Sequence, residues 1–582
     1  MRNRVVAGLA VVLSLAAFPA VSAYAGKKAA AESRDFQKQI PNDQKILQAL
    51  SRLTYGPRPG DVQAVKAMGL KKWIDQQLHP EGIAENPELL EKLKVMDTLQ
   101  MSGSELVRNY PTPQMVRQMV NGQMPFPTDP DRKLLLTRLV ERYERRQAAG
   151  GAEANLPPGA PDLKKLSELL TAGEIRALRQ GTPQQRLAAF QALPADKQDE
   201  VIAVLPQGMR QGIFAVAPPE VRRRIEMANG PQQLVARDLM EGKLLRAVYS
   251  NRQLEEVLAD FWFNHFNVFL DKGADRYLVT GYEREAIRPH VLGKFRDLLA
   301  ATAKSPAMLF YLDNWQSVGP NAPQGRGKKG SSGLNENYGR ELLELHTLGV
   351  DGGYTQKDVT EAARCFTGWT INQPQRGGSF VFNRRAHDDG EKMVLGVKIP
   401  AGGGIQDGEK VLDIVAHHPS TARFISKKLA MRFVADDPPE ALVQRMADTF
   451  TRTDGDLRAV MKIMLESKEF FSVAAYRSKM KSPLEMVASA ARAVHADIDY
   501  AFPLANQVSQ LGQPLYRKQE PTGYSNNSRE WMNSAGLMAR MNFALQLADN
   551  KVPGVKVDAS KLAKPDDPIA GIALGSPDFQ KR

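Results

Sequence analysis

A single cysteine, Cys365, stands in a chain of 582 residues. One thiol can form no intrachain disulfide, no thiolate zinc cluster and no iron–sulfur site. Covalent haem attachment through Cys-x-x-Cys-His is excluded by the same count. The sequence also lacks a Gly-x-Ser-x-Gly elbow, a His-Glu-x-x-His pair, a Walker loop and a dinucleotide fingerprint in a strand–helix setting. Beyond the N-terminus no apolar run reaches the length of about 18 residues that a spanning helix needs, so no transmembrane anchor is expected in the mature chain. No concentrated basic stripe is found, and nucleic acid is not an expected partner.

What is present begins with a leader. Arg2 and Arg4 precede Val5–Ala17, an apolar run of 13 residues, and small residues follow at Val21-Ser22-Ala23 and Ala23-Tyr24-Ala25. Residues 1–25 therefore read as a Sec-type signal peptide, which places the mature protein in the periplasm or outside the cell. Loss of the two arginines lowers the formal net charge from +13 to +11, a mild excess that suits solubility or adhesion to anionic envelope polymers. Without disulfides, stability rests on core burial, which 42% apolar residues over this length can supply.

Apolar spacing predicts a mostly α fold, a multi-helix orthogonal or bundle-like domain with a small β-hairpin excursion and an inserted short-helix repeat. Residues 26–40 read as a disordered lead and 41–146 as the N-terminal helical part of the core. Residues 147–230 read as a linker followed by the repeat. Residues 231–550 form the main helical domain and 551–582 a C-terminal tail. Within the insertion Pro183, Pro194, Pro206 and Pro218 recur at spacings of 11, 12 and 12. Each opens a short helical stretch, since proline suits a first helical turn, and the segment reads as a spacer. The hairpin is expected to pair Phe380–Phe382 with Met393–Val397 around a turn at Asp389-Gly390.

The densest polar load on an apolar spine lies at 335–349, NENYGRELLELHTLG. On a helix Asn337, Glu341 and Glu344 share one face within about 60° of arc, while His346 falls roughly 140–160° away. Glu336 and Arg340 form an i,i+4 pair, Gly349 suits a left-handed stop, and Thr355 with Asp358 makes a capping box for the next helix. Two carboxylates at i,i+3 suit a cation site or an acid/base pair, or else salt bridges to core arginines. His265, inside Phe261–Phe269, is an imidazole in an aromatic setting, suited to a metal or to a hydrogen-bonded core. His387-Asp388 lies in a loop. Tyr524 and Trp531 read either as a sugar-stacking groove or as a folded-back loop in which Ser528 caps the final helix. The candidate catalytic residues are Glu341, Glu344 and His346. The candidate ligands of a divalent metal ion are His265, Glu341, Glu344 and His387. The candidate substrate contacts are Asn337, Arg340, Trp369, Asp388, Tyr524 and Trp531.

Several segments resemble the bacterial family called domain of unknown function 1800. They include LSRLTYGPRPGDV (50–62), FWFNHFNV (261–268), NENYGRELLELHTLGVDGGYTQKDV (335–359), HDDGEKMVLG (387–396), HHPSTARFISKKLAMRFV (417–434), KSPLEMV (481–487) and SREWMNSAGLMARMNF (528–543). The resemblance implies an exported, mostly helical bacterial protein, often encoded beside a co-exported alkaline-phosphatase-like protein, and it implies no activity. The segment 147–230 looks like an insertion relative to that family.

Three functions fit these residues. The first is a metal-dependent enzyme of the cell envelope, hydrolase or oxidoreductase, with Glu341, Glu344, His265 and His387 around one ion. The second is a non-catalytic envelope assembly or polymer-binding protein whose polar motif is a structural hydrogen-bond network. The third is a glycan-cleaving enzyme with Glu341 or Glu344 as general acid. Whichever holds, N-terminal sequencing of the exported protein should begin near residue 24 or 26; a start at Met1 would remove the leader.

Overall fold

The computed structural model describes residues 35–147, 164–323, 333–558 and 570–582. The leader at 1–25 lies outside the described residues, as does most of the 147–162 linker. Helices dominate, and strands among the described residues amount to three two-stranded antiparallel pairs.

The centre of the molecule is helix Pro231–Tyr249, buried along most of its length, with Leu234, Leu239, Leu244 and Val248 nearly inaccessible on different sides. A helix with buried apolar residues on every side must be enclosed by others. Around it pack Pro87–Lys94, Pro483–Ala493 and Phe502–Gln510. The main core runs from Phe36 to Leu574 and includes the fully buried rings of Trp262 and Trp369.

The proline-spaced repeat forms the expected short helices. Pro183 occupies the first turn of Pro183–Gln191, and Pro194, Pro206 and Pro218 are the N-caps of Ala195–Val204, Gln207–Phe214 and Pro219–Asn229. It is more than a spacer, because its apolar faces join Leu106, Tyr110, Val235 and Tyr277 of the main body in a second hydrophobic cluster. Arg223 also reaches Asp238 of the central helix at 2.7 Å.

Three further expectations change. Phe380–Phe382 pairs with Trp369–Ile371, and Lys392–Val394 pairs with Val397–Ile399, so two hairpins stand where one was expected. The cause is the Leu395-Gly396 turn, where φ of 50° and 76° supply the two left-handed residues of a tight hairpin. The lead is ordered from residue 35: Ile40 N–H donates to the Phe471 carbonyl (3.0 Å) and Val473 N–H to the Lys38 carbonyl (2.9 Å). The C-terminal segment folds back, with Lys481 N–H donating to the Gln580 carbonyl at 2.9 Å and Arg582 buried.

Candidate functional site

The motif does not continue as an ordinary α-helix. Asn337–Glu341 is α-helical and Leu342–Thr347 is a π-helix, in which Leu348 N–H reaches the Leu343 carbonyl at 2.9 Å. The Thr347 hydroxyl reaches back to the Leu342 carbonyl at 2.5 Å, satisfying an acceptor that the widened turn exposes. Gly349, at φ 84°, ends the element. A side chain at Gly349 would meet the Phe424 ring at 2.9 Å, and one at Gly339 would meet the Val359 carbonyl at 2.9 Å. Both glycines are therefore set by close approach. Thr355 and Asp358 form the expected capping box of helix Gln356–Cys365.

His265 closes helix Gln253–His265 and is 2% exposed. Its Nδ1 accepts from Lys428 Nζ at 2.7 Å, and its Nε2–H donates to the His346 carbonyl at 3.0 Å. That carbonyl belongs to the last turn of the π segment, where acceptors lack partners within the helix, so the imidazole caps a helix end. The cation of Lys428 then sits where the helix dipole favours positive charge. Burial, then the charge of Lys428, depresses His265 well below the usual histidine range, and the same causes push His346 down to about 3. Burial brings Lys428 down to about 8. His346 packs against Phe266 and His265, and its Nε2 is buried without a hydrogen-bond partner among the described residues.

Glu341 and Glu344 are half-buried. Glu344 accepts from the Tyr354 hydroxyl at 3.1 Å, and Glu341 has no hydrogen bond among the described residues. Burial and the neighbouring Glu344 raise Glu341 above the usual carboxylate range. Arg340 pairs with Glu336 (3.4 Å) and Gln356 (2.9 Å), and Asn337 is exposed with its N–H bonded to Asn335 Oδ1. Neither glutamate is tied to a core arginine.

The loop residues are enclosed. Both ring nitrogens of His387 face acceptors, the Thr367 carbonyl at 2.8 Å and Asp407 Oδ2 at 3.1 Å. Asp388 is inaccessible and pairs with Arg364 at 2.9 Å; burial alone would raise its pKa, but Arg364 and the Gly390 N–H hold it at about 2. Lys392 binds Asp407 at 2.6 Å and also the Asp388 carbonyl. Trp369 is wholly buried, edge-on to Phe366 and Phe380. Trp369 and Asp388, expected to meet substrate, are thus packed inside the protein by apolar burial and ion pairing respectively.

Tyr524 and Trp531 do approach one another, with ring centroids 6.1 Å apart, and both are half-buried. Tyr524 is clamped by Asn264 through reciprocal bonds of 2.6 and 2.7 Å, as a folded-back loop requires. Ser528 bonds to Asp436 and to Met480 N–H instead of capping helix Ser534–Ala548, whose cap is Asn533.

The four expected metal ligands do not converge. Among the described residues no group of three or more His, Cys, Asp or Glu side chains is arranged to hold an ion. His265 and His387 have both nitrogens engaged, so neither offers the free lone pair that a metal needs. Helical phase tells which residues share a face, and not which other elements supply their partners.

The residues missed in the sequence are Lys428, Asp407 and Lys392. Lys428 carried a readable signal: it lies four positions after Phe424 and next to Leu429, on the apolar face of helix Pro419–Phe433. The central helix was also passed over, although Asp238, Glu241, Lys243 and Arg246 interrupt its apolar run.

Replacing His265 by phenylalanine keeps the ring volume and leaves Lys428 and the His346 carbonyl unpaired. The loss should be about 2–4 kcal/mol in chemical unfolding followed by tryptophan fluorescence. In H265F/K428M the lysine no longer needs a partner, so the double variant should cost less than the two singles together. Strict additivity would show that the bond carries no coupling.

The model of the family described as DUF1800, proteins of unknown function, matches residues 48–577. No curated protein and no solved structure matches the chain. The match spans both hydrophobic clusters, the π-helical motif and the residues around His265, and on that extent the chain belongs to the DUF1800 family.

Proposed function

We propose that this is an exported, non-catalytic binding or assembly protein of the cell envelope, in which the 335–369 segment is a structural network. The observation that carries this reading is the inward use of the chemically able groups. His265 bridges Lys428 and a helix end, His387 bridges Thr367 and Asp407, and Asp388 neutralises Arg364. A metal enzyme needs the opposite, first ligands with free lone pairs and an open coordination position. The glycines of the motif also answer to packing, at Val359 and Phe424.

The surface supports an interaction role. Helix Ser534–Ala548 presents Leu537, Met538, Met541 and Leu545 to solvent beside a groove of about 780 Å³. Adjacent exposed apolar side chains of this kind mark interaction sites more often than single ones do. The co-exported alkaline-phosphatase-like protein implied by the family resemblance is the partner to examine first.

A second reading rests on Glu341. It is the one member of the expected catalytic set with a raised pKa and no hydrogen bond among the described residues, as a general acid requires. One set of measurements separates the readings. Elemental analysis of the purified full chain should find only substoichiometric divalent metal, and incubation with envelope polysaccharide should release no reducing ends. One equivalent of metal that is lost in E341Q/E344Q would restore the metal enzyme, and reducing ends that vanish in E341Q would establish the glycan-cleaving one.

A further inference from the structure

A departure from internal charge balance that opens onto a cavity lies away from the motif, where the repeat meets the core. A cavity of about 390 Å³ opens between helix Pro87–Lys94, helix Pro219–Asn229, the central helix and the segment 498–501. Seven carboxylate side chains and three cationic ones line it. Its walls also carry the apolar side chains of Met96, Leu245 and Ile498.

Each lining cation already has a carboxylate. Lys92 pairs with Glu88 and Asp497, both at 3.2 Å, Arg223 with Asp238 at 2.7 Å, and Arg222 with Asp499. Glu226 is held by Arg237 of the central helix. Of the buried lining carboxylates, Glu241 is left without an ion pair among the described residues. It is 6% exposed, and its hydrogen bond among the described residues is one from the Ala501 N–H at 3.1 Å. An ionised carboxylate in that position is costly unless a cation joins it. Burial, then the charge of Asp238, outweighs Arg237 and Arg222 and raises Glu241 to about 7.

We infer that this cavity binds a small organic ammonium ion, its charged end paired with Glu241 and its alkyl body lying on Met96, Leu245 and Ile498. A bare metal ion suits the site poorly, since Glu241 offers a single carboxyl and half of the wall is apolar. A volume of 390 Å³ falls within the range of small-molecule pockets and exceeds what a lone ion or water requires. The binding step balances simply: the neutral carboxyl gives one proton to the buffer as the ammonium arrives, and a carboxylate–ammonium pair replaces it.

The other ionisable groups facing Glu241 are Asp238 and Arg237 on its own helix, Arg222, Arg223, Glu220 and Glu226 on the repeat, and Lys92, Glu88, Glu91, Asp499 and Tyr500 at the rim. Glu88, Glu91, Glu226, Asp238 and Asp499 are paired with cations and Glu220 is exposed to solvent, so Glu241 dominates the pH response near neutrality. Affinity should therefore rise with pH through about 7. For full ionisation on binding it should be about thirtyfold weaker at pH 5.5 than at pH 8.

The experiment is calorimetric titration of the full chain with 1,5-diaminopentane, and with pentane-1,5-diol as the uncharged control. The expected result is saturable binding of the diamine with Kd below about 1 mM at pH 8, none of the diol, and loss of at least about tenfold in E241Q with the pH dependence flattened. Repeating the titration of the unaltered chain at pH 6 in two buffers of different ionisation enthalpy should show release of nearly one proton per diamine, a readout independent of how any variant folds. Absence of saturable binding to the unaltered chain, equal binding of the diol, binding without proton release, or E241Q binding as tightly as the unaltered chain would each overturn the proposal.

Discussion

The imidazole of His265 joins three separate stretches of this chain. Its ring terminates helix Gln253–His265, caps the π segment Leu342–Thr347 through the His346 carbonyl, and accepts the ammonium of Lys428 from helix Pro419–Phe433. No apolar residue could do all three. A phenylalanine of similar size would fill the space between Trp262, Phe266 and Phe424, but it would leave a helix-end carbonyl and a buried amine unsatisfied. The position needs one donor and one acceptor on opposite edges of a flat ring, which only a neutral histidine provides. Burial among aromatics, which depresses its pKa, keeps it in that form.

The surrounding motif follows from this joint. A π turn places the 346 carbonyl where the ring can reach it, and Thr347 repairs the backbone acceptor that the wider turn leaves open. Gly349 then lets the chain leave beneath Phe424, on the helix that also carries Lys428. Gly339 lets helix Gln356–Cys365 approach closely, and Glu336 fastens it with bonds to Gln356 and Thr360 of 2.8 and 2.7 Å. Much of the polar density of the motif fastens helices to one another.

Local chemistry was legible and long-range partnership was not. The proline-opened helices of the repeat, the Thr355/Asp358 box, the Gly349 stop and the divergence of His346 from the Glu341/Glu344 face all depend on neighbours within a few residues. The hairpins were misread because strand pairing is settled by a turn: Leu395-Gly396 outweighed Asp389-Gly390, and Phe380–Phe382 turned to a strand that precedes it. The partners of the candidate site residues were hidden for a related reason. Whether His387 is a ligand or a core residue depends on Asp407, twenty positions away, and whether His265 is one depends on Lys428, 163 positions away.

Buried charge therefore has to be judged by what answers it. Around Asp388 the account closes: Arg364 sits between Glu361 and Asp388, and Lys392 and His387 share Asp407. Such a set rigidifies a loop and leaves nothing for a ligand to add. At Glu241 one carboxyl on the central helix faces an open cavity, with a backbone N–H as its hydrogen-bond partner and with Arg237 and Arg222 already engaged by other carboxylates. It could have been a leucine at lower cost to the fold, since neutral packing in such positions generally matches or exceeds buried ionic groups in stability. A carboxyl kept there without its cation is the arrangement expected of a site whose missing partner comes from outside the chain.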